Sequence, residues 1–463
     1  MNKKLILWTV LSFTIFVSVI KAQNADSVFV DKLYRAALKD SSSYKFLEEL
    51  VTKMPGRLCG SQVSLDALAW TREKMKDYGA DTVYAQEIMV RNWKRGGKEK
   101  AKFTLDNKES KALEICSFGM SVSTPKNGLT KEVIEVDGIE SLKALPDSMV
   151  KGKIVFYNRK MNPENYYTFM SYGEIAAFRS KGVTEAANKG AAAILARSST
   201  QTTDKFPHTG VMRYNDCRDS IPALSICTRD ADVLSGLIET SPKGKLTVET
   251  FCKTYPDTIS YNMIGEIKGS EFPEKIILVG GHIDCWDNSP GAHDDGAGCM
   301  QSMEVIRLFR EMNYKPRHTI RIVMFMDEEV AQRGAKKYAE MAEKNKEIHI
   351  AAIESDRGGA TPMGFSADMD DAKYANMVEM VNFLNPWGVW KSIRGGSGVD
   401  IAPLKPQGVA LMAIVPDPHR YFEYHHSAND TFDKISQREL QLGSASLAAM
   451  IYLIDKYEWQ FTK

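Results

Sequence analysis

The stretch Lys275–Gly298, KIILVGGHIDCWDNSPGAHDDGAG, decides how this chain is read. Ile276 to Val279 is an unbroken apolar run, the mark of a strand buried on both faces of a parallel sheet. His282 and Asp284 follow at once, then a Gly/Pro-marked loop, then Asp294 and Asp295. Beyond them Met300, Met303, Ile306 and Phe309 fall on one face of a helix. Open α/β sheets place their sites at the carboxyl ends of such strands. His282 and Asp294 therefore read as metal ligands, with Asp284 holding the imidazole in its metal-binding tautomer. Taken singly, a histidine near a strand end is more often an ordinary polar residue, and an Asp pair a turn or a cap. Recurrence changes that balance.

Three later segments repeat the pattern. A strand predicted over 320–326 runs into Asp327-Glu328-Glu329, and one over 348–353 into Glu354-Ser355-Asp356. A third, over 409–415, precedes a loop ending in Tyr424-His425-His426-Ser427. Collecting the strand ends gives His282, Asp294, Glu329, Asp356 and His426 as ligands, with Glu328 to spare. Imidazole and carboxylate donors suit zinc, and manganese or cobalt as alternatives. Two ions sharing one carboxylate stand roughly 3.5–4 Å apart and clamp both oxygens of a hydrolytic transition state. Asp294 lies between the other ligands in the chain and is the natural bridge. Glu328 is then the general base on the attacking water and the proton donor to the leaving amine.

The rest of the chain frames this constellation. With 463 residues it can hold one large domain and a smaller one, and a net charge of +1 gives no electrostatic case for nucleic acid or acidic lipid. Lys3 and Lys4, the apolar run 5–20 and the polar Lys21-Ala22-Gln23 have the order of a secretory signal cleaved after Ala22. The product is expected to be exported, periplasmic or secreted, with no membrane attachment once the signal is removed. The seven cysteines show no CxxC spacing, which argues against structural zinc and a disulfide framework; Cys217 and Cys227 are the one pair left open. Helical spacing is read over 25–55, stopped by Pro55-Gly56, then a helix from Cys59-Gly60-Ser61 to Tyr78-Gly79, then a strand over 82–90. From about 110 to 255 the character changes, with short buried strands at 154–157 and 191–196 and helices at 182–190 and 230–237. This part carries no clustered ligands. His208 stands alone and reads as structural, and Tyr166, Tyr167 and Tyr172 as surface packing. From about 256 strand and helix alternate again, closing with a helix over 437–457. The order implies an α/β fold, a mostly parallel sheet covered by helices on both faces.

These residues resemble the co-catalytic zinc exopeptidases, and within them the plasma glutamate carboxypeptidase type. The resemblance rests on Gly281-His282-x-Asp284, Gly291-Ala292-x-Asp294-Asp295, Glu328-Glu329 with Gly334, Glu354-Ser355-Asp356, and His425-His426-Ser427 with Asp430-Thr431. Pro55-Gly56-Arg57-Leu58-Cys59-Gly60-Ser61 and Asn92-Trp93-Lys94-Arg95-Gly96 match that family's N-terminal segment. The resemblance implies a three-layer α/β/α peptidase domain in two parts, 23–109 and 256–463, after a signal at 1–22, with a protease-associated (PA)-like insertion at 110–255. It implies one zinc on His282, Asp294 and Asp356, a second on Asp294, Glu329 and His426, Glu328 as base and Asp284 supporting His282. It also implies a cis peptide between Asp294 and Asp295, a homodimer, and short peptides, dipeptides above all, as substrates. His293, Cys285 and Arg357 depart from the family pattern; they leave the metal set intact and bear on substrate preference. His425 is a candidate, on weaker grounds, for polarising the scissile carbonyl. Two rivals share the fold: a glutaminyl cyclase-like acyltransferase with one zinc, and a binding protein that has lost catalysis. The complete ligand set speaks against both.

Overall fold

The computed structural model describes residues 25–215 and 217–461. The expected signal at 1–22 lies outside the described residues. Eight strands make the principal sheet: β1 Thr82–Lys94, β2 Lys253–Ile267, β3 Phe272–His282, β4 His318–Phe325, β5 Ile348–Glu354, β6 Pro362–Asp368, β7 Lys391–Arg394 and β8 Leu411–Pro416. Their spatial order is β1-β2-β4-β3-β5-β8-β6-β7.

The four central strands, β4, β3, β5 and β8, run parallel. They are parallel because helices cross over between them: Gly298–Glu311 joins β3 to β4, and Arg333–Asn345 joins β4 to β5. Both of their faces are therefore covered, which is why every residue of β4 is buried and the apolar run of β3 is unbroken. The sheet is mostly parallel, as expected, with antiparallel pairings towards its flanks. β1 pairs antiparallel with β2, β2 with β4, and β6 with β8. β1 alternates buried and exposed positions along its second half, as a strand with one wet face must.

Side-chain alternation splits the central strands between two cores. Ile277, Val279, Ile320, Ile322, Met324 and Ile353 join helices Ser42–Lys53, Gln62–Asp77, Gly298–Glu311, Asp371–Phe383 and Gln437–Tyr457 in one. Leu278, Val323, Phe325, Ala352 and Leu411 join Ala335, Tyr338 and Ala339 of helix Arg333–Asn345 in the other. The helical reading over 25–55 is interrupted at Asp40 and Ser41, where the Asp40 carboxylate accepts the Ser42 N–H at 2.7 Å, and a second helix starts at Ser42. Ser61 caps Gln62–Asp77, accepting the Ser64 N–H at 3.1 Å. Among the described residues no helix is long and apolar enough to cross a membrane.

The chain between β1 and β2 builds two further sheets. One has four strands, all their pairings antiparallel; the other has five, in which Val133–Val136, Ile154–Tyr157, Ala193–Arg197 and Ala223–Ile226 are parallel neighbours. Apolar clusters of their own sit on both faces of the five-stranded sheet. One of these clusters also takes in Tyr421 and Phe422 from the loop after β8, so the two parts meet beside the predicted ligands.

Candidate metal centre

β3, β4, β5 and β8 end on the same edge of the sheet, and their ends bring the predicted residues together. His282 Nε2 lies 3.3 Å from Asp294 Oδ1 and 3.5 Å from Asp356 Oδ1. His426 Nε2 lies 3.3 Å from Asp294 Oδ2 and 3.0 Å from Glu329 Oε2. Glu328 Oε2 is 3.9 Å from His282 Nε2. The side chains of Glu328 and Asp356 each keep 16% of their surface open, so the cluster has an exposed side.

Local geometry explains each placement. Gly281 lets the backbone of β3 press against Asp295: a Cβ there would stand 2.1 Å from Asp295 Oδ2. Asp295 in turn accepts the N–H groups of His282 at 3.1 Å and Gly298 at 3.2 Å. Asp430 accepts those of His293 at 2.7 Å and Asp294 at 3.0 Å. The peptide between Asp294 and Asp295 is cis, as the resemblance implies. Arg57, fully buried, donates to the carbonyls of Ile283, Pro290 and Gly291 and ties down the loop after β3. His426 has a left-handed backbone (φ 61°), and its ring stacks on that of His425 with centroids 3.5 Å apart.

Asp284 behaves differently from expectation. His282 Nδ1 meets the Asp284 backbone carbonyl at 2.9 Å, while the carboxylate Oδ1 stays 3.9 Å away. Donation from Nδ1 to that carbonyl leaves the Nε2 lone pair facing Asp294 and Asp356. The carboxylate instead accepts the N–H groups of Asp327 at 2.9 Å and Glu328 at 3.3 Å, fixing the turn that presents Glu328 and Glu329. His425 lies close to the same donors. With Asp294 and His426 it forms a group whose donor atoms all lie within 4.8 Å of one another, as those of His282, Asp294 and Asp356 do. Glu329, expected in that place, approaches the group through His426. His293 turns away: its Nδ1 accepts the Gly359 N–H at 3.1 Å and its ring stacks on Tyr424. Cys285 is buried, and burial pushes its thiol up to about 11, the setting of a packed thiol.

The stretch read as free of chemistry reaches the centre. Thr209 donates its N–H to the His426 carbonyl at 2.9 Å, and its own carbonyl stands 3.3 Å from His426 Nδ1. That contact selects Nε2 as the donor atom of His426. His208 is buried beside His425, and burial lowers its pKa to about 4. Tyr172 packs edge-on against His425, with centroids 5.2 Å apart. None of these residues carries a local sequence signal, because their partners lie more than two hundred positions away.

The donor set fits metal ions. Asp284, Asp294, Glu328, Glu329 and Asp356 crowd one place among the described residues with no lysine or arginine ion-paired to any of them, and Asp294 Oδ2 and Glu329 Oε1 are buried without a hydrogen-bond partner. Carboxylates so enclosed either hold protons or gather cations. Burial raises the pKa of Glu328 to about 8 and that of Glu329 well above the carboxylate range. His426 is held well below the usual imidazole value, by burial first and then by His425.

Comparison with known proteins gives the same direction. Residues 262–451, which contain all five predicted ligands, match the family model described as Peptidase family M28. The chain is 32% identical over 412 residues to carboxypeptidase Q of Mus musculus, covering 89% of this chain and 85% of that protein. To carboxypeptidase Q of Homo sapiens it is 31% identical over 416 residues, covering 90% and 86%. A peptidase M28 precursor from Shewanella amazonensis SB2B, solved by crystallography, superposes with a TM-score of 0.88 at 31% identity over 94% of this chain and 97% of that one. A zinc aminopeptidase from Bacillus subtilis shares the fold at 19% identity, with a TM-score of 0.63 over 89% and 93% of the two chains.

Proposed function

The chain belongs to peptidase family M28, and on that premise we propose that it is an exported exopeptidase using two zinc ions to hydrolyse short peptides, dipeptides in particular. One observation carries the two-ion reading: Asp294 belongs to both compact donor groups, one through Oδ1 and the other through Oδ2. A carboxylate that offers one oxygen to each of two groups is what a bridging ligand requires.

His282, Asp294 and Asp356 hold one ion; Asp294, Glu329 and His426 hold the other, with His425 beside them for the substrate carbonyl. The ions supply Lewis acidity and lower the proton affinity of water. The protein's own residues do the rest. Asp284 fixes the turn carrying Glu328 and, through its carbonyl, the tautomer of His282. Glu328, set beside the ligands with one edge open, takes a proton from the attacking water and returns it to the leaving amine. The 110–255 stretch is a PA-like insertion that walls the cleft, residues 23–109 and 256–463 form the peptidase domain, and the molecule is a homodimer. Export rests on the signal-like order of residues 1–22.

The test uses the zinc-loaded chain and a dipeptide panel offered free, N-acetylated and C-amidated. Cleavage blocked by both caps identifies a dipeptidase; by acetylation alone, an aminopeptidase; by amidation alone, a carboxypeptidase. Glu328→Gln should lower kcat by at least about 100-fold and keep the bound zinc. Near-normal turnover in that variant removes Glu328 as the base. A zinc content of one ion per chain removes the bridging role of Asp294.

A further inference from the structure

A cavity of 620 Å³ opens beside Asp356, between the ends of β5 and β8, the loop 395–399 and the start of helix Thr168–Ile175. Its walls are largely apolar, with Phe169, Ile393, Val399, Leu411 and Val415 among them. The loop 395–399 is held by Glu354, whose carboxylate accepts the N–H groups of Val399 at 2.8 Å, Asp400 at 2.8 Å and Ile401 at 3.0 Å. Phe169 is brought to the rim from the 110–255 stretch, because Thr168 Oγ1 donates to the Pro418 carbonyl at 2.6 Å.

The charges in this cavity are unequal in their partners. Asp368 is hydrogen-bonded by Ser397 at 3.0 Å and paired with Lys405 at 3.3 Å. Arg357, next in sequence to a predicted metal ligand, is different. It donates through Nη2 to the Gly396 carbonyl, and its guanidinium stands 5.9 Å over the ring of Phe169. Among the described residues no carboxylate forms an ion pair with it. The two carboxylates that attract it from further off are already engaged, Asp356 with His282 and Glu354 with the loop 399–401. Its Nε and Nη1 make no hydrogen bond, and the half-buried side chain leaves them open towards the cavity, where an incoming anion can meet them. Arginine meets a carboxylate with two parallel N–H donors.

We propose that this cavity is a substrate subsite in which Arg357, covered by Phe169, binds a carboxylate of the peptide, and that this pairing sets the enzyme's substrate preference. The proposal rests on the exopeptidase reading and deepens it. The carboxylate has two sources, the free α-carboxylate of a dipeptide or an acidic side chain, and the apolar walls take the aliphatic part that carries it.

Three substrate pairs separate these sources, each differing by carboxylate against amide: Ala-Leu and its C-terminal amide, Ala-Glu and Ala-Gln, Glu-Ala and Gln-Ala. With the zinc-loaded wild type, one pair should favour the carboxylate by about 10- to 100-fold in kcat/KM, mainly through KM. Arg357→Gln should bring that ratio to near one while the amide partner changes less than about threefold, and Arg357→Lys should keep part of the preference. The same peptides are titrated calorimetrically into the zinc-loaded Glu328→Gln chain, with and without Arg357→Gln, so that binding is read without turnover. Turnover whose ratios ignore Arg357, or no ratio above about threefold in any pair, overturns the subsite. Carboxylate-dependent binding that needs Arg357 in a wild type that cleaves none of the peptides overturns the dipeptide-exopeptidase reading and leaves the subsite standing.

Discussion

Replacing Gly119 by alanine drives a methyl group into the ring of Trp286. The added Cβ would lie 1.9 Å from Cη2 and 2.1 Å from Cζ3, where carbon atoms rest at about 3.5–4.0 Å. Either the ring or the loop has to move by roughly 1.5–2 Å. Neither is free to. Trp286 is 1% exposed, and Gly119 is bonded on both sides, donating to the Gly210 carbonyl at 2.9 Å and accepting from Met212 at 3.0 Å. Overpacking of this kind costs about 1–3 kcal/mol, a shift of a few degrees in Tm for a chain of this length. The displaced ring stands edge-on to His426, with centroids 5.8 Å apart, so the strain reaches a predicted ligand. Misplacement by about 1 Å at a reacting centre costs up to about 100-fold in rate. Scanning calorimetry, bound zinc and dipeptide hydrolysis together read the outcome. Trp286→Phe in the Gly119→Ala background shortens the ring and should recover part of both losses, giving a non-additive cycle. A Gly119→Ala protein with unchanged Tm and kcat, or a strictly additive cycle, refutes the claim that this contact supports the site.

The thiols and one cavity carboxylate supply further checks. All seven cysteines are free, including Cys217 and Cys227, and six are buried. Burial pushes Cys227 up to about 12 and Cys252 and Cys285 to about 11, so iodoacetamide at pH 8 should label the native chain at Cys217 alone, and the other thiols only after unfolding. Fast native labelling of Cys285 would contradict its burial. Asp368 is pushed up by burial, but the Ser397 hydrogen bond and Lys405 outweigh that and hold it below the ordinary carboxylate value. A depressed native pKa means that its contribution to stability is whole above the unfolded value of about 4 and is lost as pH falls through the native one. Urea unfolding of wild type and Asp368→Asn should therefore differ at pH 7 and converge on acidification; a gap that widens towards low pH would contradict the pairing.

What could be read in advance follows from the range of the forces involved. The run Ile276–Val279 announced β3 because a strand covered on both faces leaves no polar alternation. His282, Asp294, Glu328, Glu329, Asp356 and His426 were legible because each follows such a run, and the structure gathers all six. The antiparallel flanks were not foreseen, since the direction of a strand is set by its connection and not by its own residues. The carbonyl of Asp284, not its carboxylate, meets His282, a choice between two oxygens of one residue to which residue type is blind. Thr209, His208 and Gly119 were invisible for a further reason. They act across long separations, where no local period marks a partner.

The paired contact between Thr209 and His426 bears on how such a molecule can be altered or inherited. The ring nitrogen that does not face Asp294 and Glu329 looks instead at a carbonyl from the stretch between β1 and β2. A chimera carrying a foreign stretch there would free His426 to choose its tautomer, and half of its choices would turn an N–H towards the carboxylates. The two parts are therefore coupled: a graft that brings its own matching seam at 209–212 keeps the His426 tautomer fixed, and one that does not gives up that bias.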